Sequence, residues 1–234
     1  MKLGIIWRAN NFQNLFMTPD NKALQRTYLI GGPPRIGKTT LAYKLAEKVN
    51  GHVVMTDAIR NSAKKVCEDK SGPLFMINHY NELSELEWLG RYAHNPDRVV
   101  KDQIAESQAI WRSVVSFCNM FCEDNVSHII EGVAVMPEFV ASMDNQPEHI
   151  IFVGNTSDEH VEMVLDYGKK FPEQCWMASL GYSEERIRAF ANYVKKLSEY
   201  YRSEAKKHGF KYCELSDENF DESLVSAINH VTKG

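Results

Sequence analysis

The chain is 234 residues long, 44% hydrophobic and 25% charged, and 27 Lys and Arg against 31 Asp and Glu leave a formal net charge of −4. A chain of this size buries a substantial core, and its charge balance provides no field that would gather nucleic acid or an acidic membrane, so a polyanion partner is not expected. The five cysteines, Cys67, Cys118, Cys122, Cys175 and Cys213, are odd in number and form no C-x-x-C pair, which points to reduced thiols and a cytoplasmic setting.

Residues 1–26 read as a polar, weakly patterned N-terminal extension, whose short apolar stretch at Met1–Trp7 is broken by Arg8 far below membrane-span length. One α/β domain is expected over 27–234. It opens with the run Tyr28-Leu29-Ile30-Gly31-Gly32-Pro33-Pro34-Arg35-Ile36-Gly37-Lys38-Thr39-Thr40, in which Gly32 to Thr39 match G-x-x-x-x-G-K-[ST]. The glycines let backbone N–H groups converge on a polyphosphate, Lys38 reaches its terminal phosphates, and the Thr39 hydroxyl stands where Mg2+ is ligated. Nucleotide contacts are therefore expected from Gly32, Pro33, Pro34, Arg35, Ile36, Gly37, Lys38, Thr39 and Thr40. Leu41, Ala42, Leu45, Ala46 and Val49 then repeat at helical spacing, so the motif lies between a strand and an amphipathic helix.

A second strand is expected at His52–Thr56 and a helix at Asp57–Val66. In a parallel sheet the turn Thr56-Asp57-Ala58-Ile59-Arg60 opens on the same edge as the phosphate loop. Asp57 can then accept the proton of an attacking hydroxyl, and Arg60, one turn on, suits a phosphate or carboxylate on the acceptor. The plainer alternatives are a helix cap for Asp57 and a surface position for Arg60. After the break at Ser71-Gly72-Pro73, a helix is expected at Asn81–Ala93 and a long one at Asp97–Glu123. Val100, Ile104, Trp111, Val114, Cys118 and Phe121 stripe the long helix, interrupted near Ser107 and Gln108. Cys118 and Cys122 on it read as core packing, not metal ligands.

Ser127–Gly132 reads as a third strand ending in Glu131, which resembles a Walker B strand with Glu for Asp and would organise Mg2+ or its waters; an exposed strand-end acid is the alternative. His149–Gly154 reads as a fourth strand. A helical stretch at about 157–208 follows and includes a helix at Glu184–His208 stopped by Gly209. Arg186 and Arg188 near its start would suit a lid over phosphates, or simply a solvated helix face. Phe210–Leu215 is the fifth strand, and Phe220, Leu224, Ile228 and Val231 mark a closing helix. Strands alternating with helices argue for a parallel sheet covered on both faces.

The segments Gly-Gly-Pro-Pro-Arg-Ile-Gly-Lys-Thr-Thr-Leu-Ala, Thr-Asp-Ala-Ile-Arg and Ile-Ile-Glu-Gly-Val-Ala-Val-Met-Pro-Glu-Phe, between Thr27 and Phe139, resemble the small-molecule P-loop kinases of the 2-phosphoglycerate kinase type. These are relatives of the nucleoside monophosphate and adenylylsulfate kinases. The resemblance implies a three-layer P-loop sandwich with sheet order 2-3-1-4-5 and a helical lid-like insertion. It also implies ATP and Mg2+ as cosubstrates and transfer of the γ-phosphoryl group to a small acceptor. Lys38 and Thr39 would serve the nucleotide, and Asp57 and Arg60 the acceptor. The chain differs from that family at Ala134, at Glu138 and in the bulk of Arg35, which leaves the acceptor open among a 2-phosphoglycerate-like acid, a nucleotide and a sugar. The competing readings are a regulatory nucleotide-binding NTPase and a toxin-like sugar-nucleotide kinase. A GTPase switch is disfavoured because no D-x-x-G follows a strand and the one Asn-Lys pair, Asn21-Lys22, precedes the loop.

Overall fold

The computed structural model describes residues 26–77, 82–120, 126–173 and 175–232. Its elements run β1 (Thr27–Gly31), α1 (Lys38–Val49), β2 (Gly51–Met55), α2 (Thr56–Val66), a 3-10 turn (Pro73–Phe75), α3 (Glu85–Tyr92), α4 (Pro96–Met120), β3 (Ser127–Gly132), α5 (Pro137–Ala141), β4 (His149–Gly154), α6 (Glu159–Lys170), α7 (Trp176–Ser179), α8 (Glu184–Lys207), β5 (Tyr212–Glu214) and α9 (Phe220–Thr232). The five strands form one sheet in the order β2-β3-β1-β4-β5, every pairing parallel. This is the α/β architecture and strand order expected above.

The apolar runs of β1, β3 and β4 explain why they occupy the middle of the sheet. Leu29, Ile30, Ile129, Ile130, Ile151 and Phe152 are fully buried, as strands covered by helices on both faces must be. β1 lies between β3 and β4, with Ile30 beside Glu131 and Gly31 beside both Gly132 and Phe152. Met55 at the end of β2 also pairs with Glu131. The central strand thus delivers the phosphate loop to the carboxyl edge, flanked by the ends of β3 and β4, where open α/β sheets bind ligands.

β3 and β4 fall where the sequence puts them. The other boundaries shift for identifiable reasons. β2 ends at Met55 because Thr56 already begins α2, its side chain buried against Gly132. β5 is shorter than Phe210–Leu215, pairing with β4 only at Tyr212, Cys213 and Glu214. Phe210 and Leu215 are apolar for a different reason, since Phe210 meets the Phe152 ring at 5.5 Å and Leu215 is buried. The expected helix at Asn81–Ala93 begins at Glu85 under a Ser84–Glu87 capping box, and Asn81 lies outside the described residues.

The long helix α4 buries Val100, Val114 and Cys118 as expected, with Val99 and Ile110 beside them. Of its polar interruption near Ser107 and Gln108, Ser107 is buried and Gln108 is exposed, and Gln103 and Glu106 are buried close by. Phe121 and Cys122 lie outside the described residues. Within 157–208, α8 does two things. Its later turns bury Leu197, Tyr201 and Ala205 in the core, with Tyr201 6.1 Å from Phe152 of β4, while its first turns border a cleft. Cys67, Cys118, Cys175 and Cys213 are free thiols, and burial pushes the Cys118 thiol up to about 12, so it packs as an inert apolar group. Among the described residues no helix is long and apolar enough to cross a membrane.

Candidate functional site

The phosphate loop is shaped by its last glycine. Gly37 is left-handed at φ 91°, and a Cβ there would fall 2.5 Å from the Phe220 ring, so only glycine turns the loop into α1 at this place. No side chain caps α1 and its first turn has no acidic residue, which leaves the helix N-terminus directed at the loop as an anion site. Arg35 also adopts positive φ, 62°, and its guanidinium lies 5.9 Å from the centroid of the Tyr167 ring.

Lys38 is buried at 6% exposure, and its Nζ donates to the Pro33 carbonyl at 2.5 Å across the loop. No carboxylate forms an ion pair with it among the described residues. Burial lowers its pKa, and the charges of Glu131 and Asp57 partly restore it. A buried ammonium whose close partner among the described residues is a carbonyl is arranged to receive an anion. Beside it, Thr39 Oγ1 donates to Glu131 Oε1 at 3.0 Å. Burial raises the Glu131 pKa, against the opposing effects of the Lys38 charge and the Thr39 hydrogen bond. Glu131 is 4% exposed at a strand end, so the exposed-acid reading is set aside. Gly132 follows at φ 148°, with room for no Cβ, because one would stand 1.8 Å from Thr56 Oγ1. Among the described residues no group of three or more His, Cys, Asp or Glu is placed to hold a metal. The residues that could hold Mg2+ are the hydrogen-bonded pair Thr39 and Glu131, since that ion takes few protein ligands and completes its shell with waters and phosphate oxygens.

Asp57 does not cap α2. The N-cap is Met55, without any side-chain cap, and the Asp57 carboxylate is 60% exposed at the sheet edge. Arg60 Nη2 holds Asp57 Oδ1 at 3.2 Å while Nη1 reaches Glu106 Oε2 at 3.5 Å. Glu106, fully buried on α4, also receives Lys64 Nζ at 2.6 Å. A chain Lys64–Glu106–Arg60–Asp57 thus runs from the interior to the cleft and fixes the carboxylate at its end.

Two clefts open on either side of the phosphate loop. One, of about 740 Å3, is lined by Arg35 to Thr40, by Met163, Val164 and Tyr167 on α6, and by Asp217 and Phe220. The other, of about 680 Å3, contains Pro34, Asp57, Arg60, Gln103, Trp88, Tyr92 and Arg186. Arg186 rests 3.7 Å from the Tyr182 ring centroid and 4.6 Å from that of Trp88, and its guanidinium has no carboxylate partner among the described residues. Arg188 is placed elsewhere, bound to Glu162 on α6 and lining neither cleft. Sequence reasoning missed Glu106, Gln103, Trp88, Tyr182 and Asp217; for the first two, the polar break in the apolar stripe of α4 was the available signal.

No family model matches the chain, and no curated protein matches it. Among solved structures it is similar to a gluconokinase from Sinorhizobium meliloti 1021, at 8% identity over 90% of this chain and 95% of the other, with a TM-score of 0.46. It is also similar to an uncharacterized protein from Eubacterium ventriosum, at 15% identity over 90% of this chain and 99% of the other, with a TM-score of 0.40.

Proposed function

We propose that this protein is a kinase that transfers the γ-phosphoryl group of ATP, with Mg2+, to a hydroxyl on a small anionic metabolite. The observation that carries this reading is the second cleft. A nucleotide switch needs one pocket at its phosphate loop, whereas here a separate cleft of about 680 Å3 opens on the other side of the loop, with Asp57 at its edge.

The residues divide the work. Lys38 offsets negative charge on the transferring group, and the N-terminal turn of α1 does the same through its backbone N–H groups. Thr39 and Glu131 would hold Mg2+, which when bound neutralises charge on the phosphate oxygens. Asp57 accepts the proton of the attacking hydroxyl, and Arg60 keeps the carboxylate in place through its 3.2 Å contact. Arg186, a cation in the same cleft without a carboxylate partner, supports an anionic acceptor. Within the helical stretch at about 157–208, the start of α8, which brings Arg186 to this cleft, would close over the site as a lid and exclude water.

The test is ADP release with Mg-ATP across a panel of phosphorylated acids, sugars, nucleosides and nucleotides, repeated with Asp57→Asn. Loss of the base lowers kcat by about 10²- to 10⁴-fold with the affinity for Mg-ATP retained. Near-normal kcat in folded Asp57→Asn removes Asp57 from the chemistry, and no thermal shift with any nucleoside triphosphate removes the kinase reading altogether.

A further inference from the structure

The cleft on the α6 side of the phosphate loop ends in a carboxylate that is only half used. Asp217 Oδ2 accepts from Asn155 Nδ2 at 2.8 Å and from His160 Nδ1 at 2.9 Å. A carboxylate offers no proton, so His160 carries its own on Nδ1. Asn155 is buried and its bonding is complete. One amide hydrogen goes to Asp217, the other to the Leu215 carbonyl at 2.9 Å, and its Oδ1 accepts from the Ser157 N–H at 3.0 Å. His160 is 1% exposed at the start of α6. Asn155 and His160 therefore form a bracket that joins the ends of β4 and β5 to α6 and holds Oδ2 of Asp217 from two sides. Oδ1 has no partner among the described residues, and the Asp217 side chain keeps 19% of its surface open at the cleft.

The rest of the cleft suits a flat ring. Phe220 stands against Gly37 of the phosphate loop, and Met163 and Tyr167, one helical turn apart on α6, also wall the cleft, with Arg35 near the Tyr167 ring. A ligand whose phosphates occupy the α1 N-terminus can lay its base between these walls. The outstanding polar group there is the second oxygen of a carboxylate whose first oxygen is held by two donors. An N–H donor on the base satisfies it, whereas a carbonyl oxygen placed against it is repelled.

We propose that this cleft is the nucleobase site and that Asp217 Oδ1 selects a purine bearing an amino group. The proposal rests on the nucleotide-binding reading above and adds the residue that reads the base. Adenine presents such a donor at its 6-position and guanine at its 2-position.

The experiment measures dissociation constants by calorimetry, with Mg2+, for ATP, purine riboside triphosphate, GTP, ITP and inorganic tripolyphosphate, on the wild type and on Asp217→Asn. Within each pair, ATP against purine riboside triphosphate and GTP against ITP, removing the amino group costs about tenfold or more in affinity at whichever purine is read, and the pair affected identifies it. Asparagine turns an amide donor toward the base, so Asp217→Asn loses that preference, and where adenine is the purine read it also gains relative affinity for ITP, whose 6-oxo group takes the place of the 6-amino group. Tripolyphosphate binding stays within about twofold of wild type in the variant, because the phosphate loop is untouched. Equal wild-type affinities within both pairs overturn the proposal without any variant, and so does a preference that survives in folded Asp217→Asn. Failure of all four nucleotides and tripolyphosphate to bind the wild type overturns the nucleotide reading and this proposal together.

Discussion

Thr39 and Glu131, 92 positions apart in the chain, meet in a 3.0 Å hydrogen bond in which the hydroxyl donates to Oε1. The parallel register of β1 and β3 brings this about, since Ile30 beside Glu131 puts the end of β3 level with the start of the phosphate loop. The carboxylate sits there at a cost, because burial raises its pKa.

That raised pKa has a definite sign. An acid whose pKa is higher folded than unfolded supports the fold below its ordinary range, and the support is lost as pH rises through the folded value. At neutral pH the buried Glu131 carboxylate therefore opposes folding. Glu131→Gln without nucleotide should melt at or above the wild-type temperature near pH 8, and the difference should close toward about pH 4.5. The same variant should lose the Mg2+-dependent part of its stabilisation by ATP. Melting curves with and without Mg2+ across that pH range check both halves.

Lys38 makes the parallel case with the opposite charge. Burial lowers its pKa, so the folded state disfavours the ammonium and neutral pH costs stability that is recovered as pH rises. Lys38→Met should raise the melting temperature of the nucleotide-free protein at neutral pH and remove most of the gain on adding Mg-ATP. Turnover should fall by about 10²-fold or more. A variant that melts lower than wild type but keeps its ATP response contradicts the assignment.

The central strands and the phosphate loop were legible because each is written locally. β3 and β4 are apolar runs, and Glu131 stands out as the acid ending one of them. Glu106 was not legible, since the polar break in α4 shows only that the stripe is interrupted, and which side of α4 faces α2 is decided by packing. Asp217 and Tyr167 reach their cleft only when α6 and the loop after β5 return to the sheet edge, and nothing in their own neighbourhoods marks them. Arg186 was readable as a cation near the start of a helix, but which of Arg186 and Arg188 lines a cleft is decided by packing. Arg60 falls between these cases. Its spacing from Asp57 was readable, but its attachment to a buried acid on α4 was not, and that attachment makes it a support for Asp57 as much as a contact for the acceptor.

Glu106 is the keystone of that support. It is fully buried and shared by Lys64 and Arg60 at 2.6 and 3.5 Å. Removing it takes the shared carboxylate from Lys64 and leaves Arg60 with Asp57 alone of its two acids, and breaking a buried pair in this way costs about 3–5 kcal/mol. Glu106→Ala should melt roughly 6–12 °C lower at the lower end of that cost. Glu106→Gln keeps the volume and some hydrogen bonding, so it should lose less stability. It should still lower kcat, because Arg60 loses its inner anchor and Asp57 its fixed position. Differential scanning calorimetry with steady-state kinetics on both variants separates the stability effect from the positioning effect.

Arg186 and Arg188 sit two residues apart on the first turns of α8, and the structure gives them different surroundings. Arg186 rests against Tyr182 and Trp88 in the cleft with Asp57 and has no carboxylate partner among the described residues. Arg188 is bound to Glu162 on the protein surface. If the acceptor is anionic, Arg186→Gln should raise its KM by about 10- to 100-fold, the cost of losing charge-assisted hydrogen bonds, while leaving the KM of ATP in place. Arg188→Gln breaks only a surface ion pair and should change either constant by less than about twofold. Arg186→Lys keeps the charge but loses the planar stack on Tyr182 and the two-pronged fork, so it should recover only part of the loss. The measurement is KM for both substrates in the three variants at low and high salt. An acceptor KM that is unmoved by Arg186→Gln would place the anion elsewhere, and equal effects from Arg186 and Arg188 would mean that α8 acts as a whole, through closure, with no single contact to the acceptor.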